Sequence, residues 1–551
     1  MQEYKGRMTR ARKFLNTLSV PVRPLFVGGK LAVAAGICCS LALSLAGCHA
    51  ANVDWMKAER DRIDPSITIV MNSLGIRFPE PWTENDNPYL SYIEDETGLE
   101  VEVIIPPWHR YEERVGVMMM SSHTPDLIGI SDPNWVSHYA RKQMLAPLDH
   151  LIERYAPQLK KRIPAEVWEQ VSFNGQVYAI PSLNEAKGLE MMYIRKDWLD
   201  RLGLAPPETI EETVEVMRAF AAFDPDGNGI RNTYGTSFIE DFGRSSPWFG
   251  AFGVQLNQWA ERDGKLVYSN ILPEMKDALA FMRGLVAEGL IDPLFPIQTQ
   301  RGLERQVIDG RIGLFTGTWY DTRGVLEKSA ARDPQADWIT LPYPQGPGGT
   351  GTYGLPTVRS YQVIPATSPH AVEVLQLLNF ISGEGRDTLK FGFEGEVWEW
   401  KDGQRVTDMG MHNRDQYRGL YANLADIPES GYVRSRLDSL GSHYHLYDNL
   451  RHISPYAMPD AFQSLPTPAM TRYAPLLAKK NDRLIEIVLG ERPLDDFDTY
   501  AAEWLAEGGE EMTREANAWF QYSRNQARRE ADRDVPAHST EGSDRHAPGA
   551  F

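Results

Sequence analysis

Ser66-Ile-Thr-Ile-Val-Met71, Leu99-Glu-Val-Glu-Val-Ile-Ile105 and Pro125-Asp-Leu-Ile-Gly-Ile130 decide the fold. Each is a short aliphatic or β-branched run of strand length, too short for a buried helix. Between the first two, residues 89–96 read as a helix that stops before Gly98, and between the last two residues 111–121 read as another. Strand, helix, strand, helix, strand at this spacing predicts a parallel sheet with crossover helices, an α/β fold.

The alternation continues downstream. Residues 136–144 and 148–155 read as helices, 176–180 as a strand ending at Pro181, and 191–194 as a further strand. A helix opening near Thr209 places Ile210, Val214, Met217 and Ala221 on one face, and a helix over 273–288 does the same with Met275, Leu279, Met282 and Val286. Residues 311–315 and 361–364 read as strands, and 370–381, 474–489 and 500–520 as helices. Residues 401–470 are rich in Tyr, His and Pro and show little periodicity, and residues 522–551 are polar enough to be expected as a disordered tail. Gly346-x-Gly348-x-x-Gly351 fits a dinucleotide pattern, but Pro347, Pro356 and a strand follow it where a helix is required, so it reads as a flexible loop. His443, His445 and His452 lie in a polar stretch with no carboxylate at a fixed spacing and read as solvated.

Upstream, residues 31–46 are apolar or small and carry no charge, and Lys5, Arg7, Arg10, Arg12, Lys13, Arg23 and Lys30 precede them. A basic region, a short apolar run and small residues at a cleavage point form a secretory signal. An N-terminal membrane span is the alternative, but the uncharged run falls short of the roughly 20 residues a span requires. Met8 is an alternative start that shortens the basic region. Leu45-Ala46-Gly47-Cys48 resembles the lipobox of bacterial lipoproteins, in which the Cys thiol takes a diacylglyceryl group and becomes the first mature residue. Cys38 and Cys39 leave with the signal, so the mature chain has no thiol for a disulfide, for catalysis or for a Cys-ligated zinc.

The chain is 42% hydrophobic and 24% charged, a globular composition, and its 551 residues suffice for two or more domains. Its net charge is −18, and residues 1–47 hold seven Lys or Arg against one Glu, so the remainder is more acidic still. That balance argues against nucleic acid and against an anionic membrane surface as partners.

Several stretches, in this order and spacing, resemble the family 1 extracellular solute-binding lipoproteins of ABC transporters, of the long kind that serves oligosaccharide uptake. They are Met144-Leu-Ala-Pro-Leu-Asp149; Tyr193-Ile-Arg-Lys-Asp-Trp-Leu-Asp-Arg-Leu-Gly203; residues 223–235; Ala287-Glu-Gly-Leu-Ile-Asp-Pro293; Gly313-Leu-Phe-Thr-Gly-Thr-Trp319; and residues 490–498. The resemblance implies a two-lobe periplasmic-binding-protein-like (type II) α/β fold with hinge crossings and ligand in the cleft. It divides the chain into a signal (1–47), a tether (48–65), a first lobe (66–185 and 359–425), a second lobe (186–358, with 426–521 completing it and the hinge) and the tail (522–551). It implies a monomeric receptor, anchored through Cys48 on the outer face of the cytoplasmic membrane, that hands an oligosaccharide to permease subunits and performs no catalysis.

Asp224-x-Asp226-x-Asn228-Gly229-Ile230-x-Asn232 has oxygen donors at alternate positions and a Gly for the sharp turn, as in the first nine positions of an EF-hand loop. Ile230 would supply its backbone carbonyl. Related alginate-oligosaccharide binding proteins hold calcium in such a loop, with acidic residues at its ninth and tenth positions. Here those are Asn232 and Thr233, and the usual Glu at position twelve is Gly235, so a weaker site is expected. The alternative is a metal-free turn, which the same residues favour.

Sugar rings pack C–H faces on aromatic planes and need fixed partners for their hydroxyls. Trp135 and Trp319 follow strands and so fall near carboxyl strand ends, where open α/β sheets bind ligand. Trp248, Tyr353 and Trp398 lie in turn-prone segments, and Asp132 and Glu185 just past strand ends. These seven are the expected ligand-binding residues. A secreted glycosidase and a receptor for peptide or another non-sugar solute are the competing readings. An adhesion lipoprotein lacks the repeats or all-β pattern it would need.

Overall fold

The computed structural model describes residues 66–534. Eight strands, here β1 to β8, form two sheets. β1 (Ser66–Val70), β2 (Glu100–Ile104) and β3 (Leu127–Ile130) are parallel, with Ser66 opposite Glu100 and Ile69 opposite Leu127. Ile67, Ile69, Val101 and Val103 are buried, so the alternation of the pleat sends one set of side chains into the core. The connecting helix Pro88–Thr97 starts where Asn87 Oδ1 accepts from Leu90 N at 3.0 Å, and it stops at Gly98, whose φ of 68° suits the left-handed cap.

Two strands from further downstream, β4 (Ile180–Leu183) and β8 (Val358–Val363), complete this sheet, in the order β2-β1-β3-β8-β4. β8 runs antiparallel to both β3 and β4. The expected strand end at Pro181 is corrected here. Pro181 sits inside β4 opposite Tyr361, and β4 is the sheet's last strand, where a missing N–H costs no ladder bond.

The second lobe is built on β5 (Glu190–Arg195), flanked antiparallel by β6 (Leu314–Thr318) and β7 (Trp338–Leu341). Its main core gathers Trp198, Phe220, Trp248, Met275, Leu279 and Met282, and it takes in Met470, Leu484, Ile487, Tyr500, Trp504 and Phe520 from the last third of the chain. The helix Ile210–Ala222 that supplies Phe220 opens with a capping box between Thr209 and Glu212.

Three segments cross side by side between the lobes. Leu183 N donates to Asp426 O at 2.8 Å, Asn184 N to Thr357 O at 3.0 Å, and Leu355 N to Lys187 O at 2.8 Å. The Gly-rich stretch before the second crossing is packed, which corrects the expected flexible loop. A Cβ on Gly348 would strike the backbone of Phe252, one on Gly351 would strike Met458 Sδ, and one on Gly354 would meet Met458 O at 2.5 Å. The glycines are there for close approach of chains.

Residues 401–470 contain order that periodicity does not announce. Strands Trp398–Lys401 and Gln404–Thr407 turn at Asp402 and Gly403, both at positive φ, and Tyr417 and Tyr421 are buried against the first lobe, with Asn87 Nδ2 donating to Tyr421 Oη at 2.9 Å. The expected disordered tail is also corrected. The helix Glu510–Asp534 runs past Tyr522. Asn517 bonds both polar groups of the Leu266 backbone, at 2.9 and 2.8 Å, Gln521 donates to Gly264 O at 3.2 Å, and Arg524 meets Glu261 at 3.1 Å. Cys48, the signal and the tether lie outside the described residues, as do residues 535–551.

Candidate functional site: a cavity walled by both lobes

A cavity of about 420 Å³ opens beyond the carboxyl end of β3. The first lobe contributes Asn134, Gln170 and Tyr361 to its wall, and the second lobe Asn257, Trp259, Tyr268 and Trp504. Tyr353, from the crossing region, and Asp460, Gln463 and Ser464, from the loop after Met458, close it. The size is ordinary for a small-molecule pocket, and so is the mix of rings with few polar groups.

The aromatic floor is stacked. Tyr268 and Trp504 stack at 4.7 Å with planes 6° apart, and Trp259 meets Tyr268 at 5.4 Å. Trp259 and Tyr268 face each other across a hairpin, Trp259–Arg262 with Lys265–Tyr268, whose turn Asp263-Gly264 has φ of 51° and 75°. Two backbone donors fix Asp460, Trp259 N at 3.2 Å and Phe462 N at 2.8 Å, both to Oδ1. Burial outweighs those two bonds and pushes the carboxyl up to about 7. Burial, and then the charge of Asp460, raises the Tyr353 phenol.

Of the seven ligand-binding residues expected from sequence, Tyr353 lines the cavity. Asp132 stands one step behind the wall. It caps the helix Pro133–Arg141, and its Oδ1 accepts from Asn134 N at 2.9 Å and Asn134 Nδ2 at 3.1 Å, so it orients Asn134. Trp135 is buried on the same helix against Tyr139, ring centres 4.0 Å apart. Trp248, 1% exposed, is core between Phe238 and Phe281. Trp319 is buried in the second lobe's smaller cluster. Trp398 donates its Nε1 to Gly392 O at 2.9 Å beneath the Arg405 guanidinium. Glu185 is engaged by Arg436 at 2.6 Å. None of these last five is on the cavity wall. The rings that are, Trp259, Tyr268, Tyr361 and Trp504, were missed, although the Asp-Gly hairpin signal marks the first two.

In the loop of residues 224–232, Asp224 Oδ2 accepts from Gly229 N at 2.8 Å and Asp224 Oδ1 from Asn228 N at 3.1 Å. Asn228 Oδ1 accepts from Ile230 N at 2.7 Å, and Gly227 and Gly229 take φ of 70° and 80°. The carboxyls of Asp224 and Asp226 share a bond. Asp226 is held above the usual carboxylate range, by burial first and by that bond second, and Asp224 is held below it, chiefly by the same bond. Asn232 Oδ1 is buried without a partner. Gly235 leaves no room for the usual twelfth-position Glu, since its Cβ would meet Met217 Cβ at 2.7 Å and Leu290 O at 2.8 Å. Among the described residues no three His, Cys, Asp or Glu side chains converge on a metal-sized point, so a cation here would rest on two carboxylates plus amide and carbonyl oxygens.

His452 stacks beside Tyr343 and Tyr456, and burial lowers its pKa. His445 instead faces Asp448 at 3.7 Å.

Two α/β lobes, three crossings and a cavity walled by both lobes define a solute-binding protein of the periplasmic type. The chain belongs to the bacterial extracellular solute-binding protein family, which residues 78–386 match. It is 27% identical to lipoprotein LipO of Bacillus subtilis over 88% of this chain and 97% of that one. It is 31% identical to the fructooligosaccharide ABC transporter substrate-binding protein FusA of Streptococcus pneumoniae, over 38% of this chain and 43% of that one. The structure of FusA in complex with kestose superposes on 84% of this chain and 100% of its own, with TM-score 0.68 and 20% identity. Alginate-binding protein AlgQ2 without calcium ion covers 84% of this chain and 99% of its own, with TM-score 0.65 and 19% identity. No helix among the described residues is long and apolar enough to cross a membrane.

Proposed function

We propose that this chain is a lipid-anchored extracellular receptor that captures an oligosaccharide in the interlobe cavity and delivers it to an ABC importer. The carrying observation is the cavity wall itself. Tyr268, Tyr353 and Tyr361 line it together with the amides of Asn134, Gln170, Asn257 and Gln463, a mix that suits a ligand apolar on its ring faces and hydroxylated at its edges. The named ligands of its relatives, a fructooligosaccharide and alginate, support the same class. Binding by both lobes fits hinge closure and release, with no chemical step required. Diacylation at Cys48 supplies the two chains that stable anchoring needs. Calcium in the loop of residues 224–232 serves stability away from the cavity. Asp224, Asp226, Asn228, the Ile230 carbonyl and the unpartnered Asn232 Oδ1 would hold it, and its charge would replace the shared bond between the two carboxyls.

The test pairs calorimetry on a panel of oligosaccharides with product analysis of the same mixtures. Saturable binding with the sugar recovered intact is expected, and Tyr353→Ala should weaken it by about 1–3 kcal/mol, the scale of a lost stacking face. Shortened sugars in the mixture would move the assignment to a hydrolase.

A further inference from the structure

Donors and acceptors are unevenly spent on the cavity wall. Asn134, which lines the cavity, donates its Nδ2 to Asp132 at 3.1 Å, and its Oδ1 is buried without a partner. Asp460 spends Oδ1 on two backbone N–H groups, and its Oδ2 takes no bond from the described residues. Above pH 7, where the Asp460 carboxyl is ionised, both unspent groups are acceptors, and each needs a donor from whatever fills the space. Among the described residues no Lys, Arg or His side chain lines the cavity. Arg141, on the wall helix Pro133–Arg141, is turned to Pro466 O at 3.0 Å and Thr471 Oγ1 at 2.8 Å.

We propose that the cavity selects an uncharged oligosaccharide over uronate chains, with Asn134 and Asp460 as the acceptors that read its hydroxyls. This rests on the carbohydrate reading above and narrows it. A sugar hydroxyl donates to either acceptor, whereas a ligand carboxylate has no proton to give. A carboxylate would also enter beside Asp460 with no cation to balance it, and the like charge would count against the wrong ligand. The site already resists its own negative charge, since burial holds the Asp460 carboxyl up at about 7. Asn257 completes the complement. Its Oδ1 accepts from Tyr268, Asn270 and Asn481, while its Nδ2 makes no bond to the described residues and can donate to a hydroxyl oxygen.

The test is titration of the full chain with two length-matched series at pH 8. One is neutral (fructo-, xylo- and arabino-oligosaccharides) and the other acidic (oligogalacturonates and oligoalginates). A neutral member should bind at least a hundredfold more tightly than any acidic one. Asp460→Asn turns an N–H₂ toward the ligand and should weaken the neutral sugar tenfold or more. Asn134→Ala should also weaken it tenfold or more, and thermal melting shows whether each variant is folded. Tightest binding by a uronate, or neutral binding unchanged in both variants, overturns the proposal and leaves the carbohydrate reading standing. Binding of neither series overturns both.

Discussion

Replacing Asp460 by Asn should change how the stability of this protein depends on pH. The folded carboxyl titrates near 7, against an ordinary value of 3.8. Below pH 4 both folded and unfolded chains carry the proton. Between pH 4 and 7 the unfolded chain has ionised and the folded one has not, so rising pH favours unfolding by up to about 1.4 kcal/mol per pH unit. Above pH 7 both are ionised and the dependence ends. From pH 5 to pH 8 the ceiling is therefore about 3 kcal/mol of lost stability, and solvent at the partly buried side chain reduces it toward about 1 kcal/mol. Asp460→Asn removes this titration, and its amide oxygen still accepts from Trp259 N and Phe462 N. Urea unfolding of both proteins at pH 5 and pH 8 isolates the group, because every other titration is common to the pair. The variant should gain on the parent by about 1–3 kcal/mol between the two pH values. A difference that does not move with pH, or one that shrinks as pH rises, refutes the claim that this cavity disfavours negative charge.

Calcium should raise the melting temperature by a few degrees, and Asp226→Ala, which removes one of the two carboxylates of the loop, should abolish the increment. Cys48→Ser should release the protein from cells or leave it unprocessed, and metabolic lipid labelling of a mature variant would count against the anchor. Trp248→Ala should cost about 3–5 kcal/mol of stability by opening a hole between Phe238 and Phe281, with ligand affinity of the folded fraction unchanged. Denaturation and calorimetry on one preparation separate the two effects.

What was legible in the sequence follows from how local its cause is. β1, β2 and β3 are legible because strand length and β-branched composition act within a few residues, and the alternation that buries Ile67 and Ile69 is written into the run itself. The helix caps at Asn87 and Thr209 are local in the same way. The helix beyond Tyr522 is not. Its polar residues look unstructured until they meet a hairpin more than 250 residues earlier, where Asn517 and Gln521 bond backbone groups that water would otherwise hold and Arg524 pairs with the Glu261 side chain. The site repeats this contrast. Strand ends locate the cavity to within a turn of helix, so Asp132 falls one residue behind the wall and Asn134 on it. Which Trp reaches the cavity is decided by distant packing, and so Trp248 lies in the core while Trp259 lines the cavity. Asp460 is the extreme case. Its acidity is set by burial, and its orientation by the N–H of Phe462 and by one 201 positions away in the chain. A lone Asp after Met458-Pro459 carries no sign of either in the sequence, yet among the described residues it is the one acidic or basic side chain on the wall, and the proposed discrimination between neutral and acidic ligands turns on it.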